Sequence, residues 1–197
     1  MRRPVFVGIH CMCPPYRIMF LVEDNLPKRK PIRLDTWDYA NSWWYFVTIV
    51  VQNRKHLFGS VPVGAGHAPP AMVLNNVGKI VERVYREIPN HYPVRSVIHQ
   101  IMPNHIHFII ETVGATHVSP ANNTTGGACP APTLGNIIGS FKSECTKQIR
   151  MQTNNPTLTV WQRGYYDRII RNDRELDRIR TYIQNNPQNW ADDEYHT

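Results

Sequence analysis

Two β-branched, apolar runs, Val94 to Ile101 and His105 to Thr112, are separated only by Met102-Pro103-Asn104, and no other stretch of the 197-residue chain constrains the fold as strongly. A Pro-Asn turn that short returns the chain alongside itself, so the two runs read as an antiparallel hairpin. Side chains alternate faces along a strand, which turns His105 and His107 to one side and Ile106 to the other. Two neutral imidazoles side by side are half of a metal site. A polar strand face is the plain alternative.

The remaining elements follow from periodicity. Trp43 to Gln52 is aromatic and β-branched throughout and reads as a central strand, apolar on both faces. From Leu74 to Ile88 the residues Val77, Ile80, Val81, Val84, Tyr85 and Ile88 recur at three and four, which predicts an amphipathic helix with Asn75 or Asn76 as N-cap and Pro89 just past its end. Leu134, Ile137, Ile138, Phe141, Cys145 and Ile149 form one face of a second helix, with Lys142, Lys147 and Arg150 on its exposed side. Val160 to Ile170 reads as a strand, and Asn172 or Asp173 caps a final helix striped by Leu176, Ile179 and Ile183 and stopped by Pro187. The order β, α, β, β, α, β plus a C-terminal helix predicts an α+β, ferredoxin-like sandwich. Its four-stranded antiparallel sheet is covered by helices on one face and open on the other.

Residues 1–36 mix apolar scraps with prolines and the run Lys28-Arg29-Lys30, and read as a basic arm ahead of a single domain spanning 37–197. The small, Pro/Gly-rich stretches at about 59–72 and 113–132 read as loop insertions. Cys11-Met12-Cys13 beside His10 has no second cysteine pair at ligand spacing, so reduced thiols are expected at Cys11, Cys13, Cys129 and Cys145. No run of about eighteen apolar residues exists, and the start lacks a leader's apolar region; a soluble, cytoplasmic protein is expected. The formal net charge of +7 favours an anionic partner such as nucleic acid.

The final helix is the element free to cover the open sheet face. On it Tyr182 and Asn186 are four apart and share a side. A phenol can act as a nucleophile and an amide oxygen can ligate a hard cation, although a core aromatic and a helix-end asparagine would also fit these positions. Together, Met102-Pro-Asn-His-Ile-His107, Gly139-Ser-Phe-Lys-Ser143, the segment Val160 to Arg171 and the segment Glu175 to Pro187 resemble the REP-associated tyrosine transposases, single-tyrosine members of the HUH superfamily. The resemblance runs from roughly Trp43 to Trp190, outside the arm and the two insertions.

What the resemblance implies is a metal-dependent endonuclease and transposase that cleaves and rejoins single-stranded DNA beside hairpins through a 5′-phosphotyrosine. Tyr182 matches the nucleophile, and His105 and His107 match the metal-holding pair for Mg²⁺ or Mn²⁺. Asn186 stands where related enzymes often carry Gln, one methylene longer. Lys142, Arg163, Arg168 and Arg171 are candidate phosphate contacts. Tyr165-Tyr166 is the internal rival for nucleophile. A non-catalytic, domesticated DNA-hairpin-binding protein is the alternative function, and a replication or conjugative nuclease a third. A monomer or homodimer, nucleoid-associated when bound to DNA, completes the expectation.

Overall fold

The computed structural model describes residues 42–62, 69–113 and 132–196, all within the unit Pro31–Thr197. The expected arm, Cys11, Cys13 and Cys129, and most of both insertions lie outside the described residues. In chain order the described elements are β1 (Trp44–Val50), β2 (Gly59–Ser60), β3 (Val73–Leu74), α1 (Asn76–His91), β4 (Val94–Ile101), β5 (His105–Thr112), α2 (Leu134–Gln152), β6 (Tyr166–Ile169) and α3 (Asp173–Asn185).

Four strands form one antiparallel sheet in the order β4-β5-β1-β6, with the histidine strand and β1 at its centre. Residues separated by two share a face, so Ile106, Phe108 and Ile110 of β5 and Tyr45, Val47 and Ile49 of β1 look one way. They meet Ile80, Val81, Val84 and Tyr85 of α1 and Ile137, Ile138, Phe141 and Cys145 of α2 in the main core. Each such side chain contributes roughly 1.5–3 kcal/mol of burial free energy, which fixes the register because a one-residue slip would expose the whole set. The opposite face of the sheet presents Trp44, Phe46, Ile109 and the two histidines. There α3 seats Leu176, Ile179 and Ile183 on Ile109 and Ile170 in a second, smaller core. The expected fold is therefore observed, with α3 and the segment that follows it covering part of the second face.

Three local expectations need correction. The helix expected to end before Pro89 runs on to His91, with Pro89 inside it. A proline lacks only its own N–H, so in a last turn it removes one bond while Tyr92 N–H still closes onto Ile88 O at 3.0 Å. The strand expected over 160–170 is reduced to Tyr166–Ile169, with one isolated bridge from Trp161 to Val51. Between them Gly164 adopts φ 81°, a left-handed turn that breaks the ladder. The first small-residue stretch is not all loop: Gly59–Ser60 pairs with Val73–Leu74 as a two-stranded ribbon.

Candidate active site

The site begins at the turn between β4 and β5. Asn104, fully buried, donates its amide N–H groups to Arg54 O at 3.1 Å and Tyr195 O at 2.7 Å, and its Oδ1 lies 2.9 Å from His105 Nδ1. Two residues along β5, His107 Nδ1 shares a 2.8 Å hydrogen bond with Thr48 Oγ1 on the neighbouring strand. The two rings stand edge to face with centroids 4.4 Å apart.

From the last turn of α3, Tyr182 brings its hydroxyl to 3.3 Å from His107 Nε2. Its ring is edge-on to Phe46, whose own ring stacks on His107. One turn on, Asn186 is buried beneath it. Its Nδ2 donates to Asp193 Oδ2 at 2.9 Å, which leaves Oδ1 as the free end of the amide. Beyond Pro187 a short helical turn, Trp190–Asp192, folds the chain back so that Tyr195 lies against His105, ring centroids 4.7 Å apart, and Arg54 sits over Tyr195. Asp193 is held by its neighbours, Oδ1 accepting Tyr195 N–H at 2.7 Å.

Two acceptor atoms in this cluster, His105 Nε2 and Asn186 Oδ1, are buried with no hydrogen-bond partner among the described residues. A lone pair stranded in a protein interior costs about 1–3 kcal/mol unless something fills it. His105, His107 and Asp193 each offer a ligand atom, and these atoms lie within 4.8 Å of one another. With Asn186 Oδ1 they make a set of two imidazole nitrogens and two oxygens, one of them charged, which suits a divalent cation.

The electrostatics agree. Burial, then Arg54 nearby, pulls His105 down to about 3 against a small opposing effect of Asn186. Burial and the adjacent His105 hold His107 well below its ordinary value. Both rings are thus neutral at pH 7, the form that ligates metals. Burial, then Asp193 and Glu194, pushes the Tyr182 phenol up to about 12. A cation engaging Asp193 removes the second of these causes.

Beside the histidines opens a cleft of about 400 Å³ lined by His107, Tyr166, Arg168, Tyr182, Glu194 and Tyr195 among others. The four residues expected to form the site, His105, His107, Tyr182 and Asn186, are brought together. Tyr165, just before β6, packs on the main core, whereas Tyr166, its first residue, is exposed and faces this cleft. Of the basic residues, Lys142 is half-buried, its Nζ donating to Gln162 O and Gly164 O, and burial lowers its pKa. Arg168 lines the cleft and pairs with Glu175 at 2.7 Å. Arg163 is exposed, and Arg171 lines a separate cavity with Trp43 and Trp44. Sequence reasoning missed Thr48, Arg54, Asn104, Asp193 and Tyr195. The acidic triplet Asp192-Asp193-Glu194 just past α3 is the one sequence signal that points to any of them.

No protein-family model matches the chain. It is 34% identical over 182 residues to a Haemophilus influenzae protein named "Uncharacterized protein", covering 84% of this chain and 92% of that one. A second H. influenzae protein, named "Putative REP-associated tyrosine transposase", is 23% identical over 150 residues, covering 76% of this chain and 73% of that one. Among solved structures, a REP-associated tyrosine transposase bound to a REP hairpin aligns at TM-score 0.47 and 15% identity, covering 77% of this chain and 70% of that one. A Deinococcus radiodurans protein described as a "putative transposase" aligns at TM-score 0.43 and 11% identity, covering 78% and 97%. The chain belongs to one family with the first Haemophilus protein. It is similar, at lower identity, to the second, which is named as a putative REP-associated tyrosine transposase. No helix among the described residues is long and apolar enough to cross a membrane.

Proposed function

We propose that the protein cuts and rejoins single-stranded DNA beside hairpins, with Tyr182 as nucleophile and a divalent cation, Mg²⁺ or Mn²⁺, held by His105, His107, Asn186 and Asp193. The observation that carries this reading is the pair of buried, partnerless acceptors, His105 Nε2 and Asn186 Oδ1, in one cluster with His107 Nε2 and the Tyr182 hydroxyl. A binding module gains nothing from two stranded lone pairs beside an accessible phenol. The hairpin and its single-stranded flank come from the resemblance of the motifs, and the name of the 23% identical relative, a putative REP-associated tyrosine transposase, supports the tyrosine-transposase part of the reading.

In this reading the Tyr182 oxygen attacks the scissile phosphorus, the bond from phosphorus to the 3′-oxygen breaks, and the phenol's proton ends on the released 3′-hydroxyl. A 5′-phosphotyrosine results. Attack by a 3′-hydroxyl on that ester reverses the step, so no water or ATP is consumed. When bound, a divalent cation supplies polarisation of a non-bridging phosphoryl oxygen and stabilises the charge that develops there. The chain's own residues do the rest. Phe46 and His107 fix the approach of the Tyr182 ring, which is 42% exposed and so reachable by a strand in the cleft. Arg54 and Arg168 border that cleft and offer positive charge to the backbone phosphates, with Arg163, Arg171 and Lys142 as more distant contacts.

The test is incubation of the purified protein with end-labelled hairpin DNA carrying single-stranded flanks, with Mg²⁺ or Mn²⁺ and with EDTA. A cleaved strand and a protein-linked strand, both lost with EDTA and in Tyr182→Phe, are expected, with hairpin binding retained in the variant. Hairpin binding without either product would favour a binding protein.

A further inference from the structure

We infer that Asn104 is a positioning residue: its side chain locks His105 in the tautomer that carries hydrogen on Nδ1 and leaves the Nε2 lone pair turned into the candidate metal centre. This rests on the reading of His105 as a ligand and adds what sets its state.

The inference comes from counting hydrogens. Both N–H groups of the Asn104 amide are committed, one to Arg54 O at 3.1 Å and one to Tyr195 O at 2.7 Å. Those partners are carbonyls and can only accept, so a flipped amide would set oxygen against two oxygens. The orientation is thereby fixed, and Oδ1 is the atom that faces His105 Nδ1 at 2.9 Å. An amide oxygen cannot donate, so Nδ1 must carry the hydrogen of the neutral ring, and Nε2 is bare. Independently, Nε2 is the atom found buried without a partner.

The frame that holds Asn104 is itself pinned. Val51 N–H donates to Asn104 O at 2.8 Å, Phe58 N–H to Pro103 O at 3.0 Å, and Met102 N–H to His105 O at 2.8 Å. Asn104 is completely buried, so no water competes for its amide. His107 differs in kind. Its Nδ1 partner is the Thr48 hydroxyl, which rotates and serves as donor or acceptor, so no single tautomer is imposed there. The chain thus fixes one ring absolutely and leaves the ring beside Tyr182 free to adjust. Because one of the two carbonyls belongs to Tyr195, the same amide also anchors the segment that carries Asp193.

The test uses the full chain, ¹⁵N-labelled and metal-free, in long-range ¹H–¹⁵N correlation spectra of the imidazoles at pH 7. A single His105 tautomer with hydrogen on Nδ1 is expected. Hydrogen on Nε2, or a mixture, overturns the inference. In Asn104→Ala both His105 tautomers should appear and the affinity for Mn²⁺, read by calorimetry, should fall about 10- to 100-fold. Asn104→Asp keeps an acceptor at Nδ1 but sets its second oxygen against the Arg54 and Tyr195 carbonyls, so the single tautomer should survive at a cost in stability. An unchanged single tautomer in Asn104→Ala would show that something else sets it. If neither variant folds, the wild-type spectrum decides alone. Absence of any Mn²⁺ heat in the wild type would overturn the metal reading while leaving the tautomer result intact.

Discussion

Acid should destabilise this protein through two specific side chains. His105 and His107 are buried and held neutral, His105 at about 3 and His107 well below its ordinary value, whereas in the unfolded chain each titrates near 6.5. Below that pH the unfolded state binds two protons that the folded state refuses. Stability is therefore unaffected above pH 6.5 and falls as pH drops from there toward 3. For His105 the contribution is RT ln(1 + 10^(6.5 − pH)), a loss of about 2 kcal/mol between pH 7 and pH 5, and His107 adds a loss of the same sign. Urea unfolding in EDTA at the two pH values gives the difference directly, with His105→Gln/His107→Gln as control. The half-buried His99, away from the pair, cancels in this comparison. The wild type should lose more than about 2 kcal/mol beyond the double variant, and the single variant His105→Gln should lie between them. Equal acid sensitivity in wild type and double variant would refute the neutral, buried pair.

Asp193→Asn keeps the shape and one of the two hydrogen bonds that the carboxylate accepts but removes the one formal charge in the ligand group; Mn²⁺ affinity by calorimetry should drop at least tenfold, and an unchanged value would remove Asp193 from the set. With the Tyr182 phenol near 12, its phenolate is rare at neutral pH, so the single-turnover cleavage rate in Mn²⁺ should climb up to tenfold per unit from pH 7 to 9; a flat profile would mean the phenol is not the titrating nucleophile. Two glycines with equally open surroundings should respond oppositely to alanine. Gly164→Ala, at φ 81°, should cost about 1–2 kcal/mol, while Gly139→Ala, on the exposed side of α2, should gain about 0.5–1 kcal/mol, both read by urea unfolding.

Much of the fold was legible because it rests on local periodicity. The three-four spacing of α1 and α2 follows from one-faced burial, whereas β5 is recognisable as an apolar, β-branched run and is buried on both faces. What failed was punctuation. Pro89 looks like a stop, but in a last turn it removes a single bond, and the aromatic run 160–170 hides a left-handed glycine that composition does not reveal. The site divided the same way. His105, His107, Tyr182 and Asn186 could be picked out because a strand repeat and a helix turn set their relations. Asp193 and Tyr195 reach the histidines only by the chain reversal past Pro187, and Thr48 only by the register of β1 on β5, neither of which a linear pattern encodes.

Three phenols border the same cleft, Tyr166, Tyr182 and Tyr195, and the account stands on one of them. After reaction with hairpin DNA in Mn²⁺ and nuclease trimming, peptide mass spectrometry should find the nucleotide adduct on the peptide containing Tyr182 and on no other tyrosine. An adduct on Tyr166 or Tyr195, or strand cleavage with no adduct at all, would contradict it.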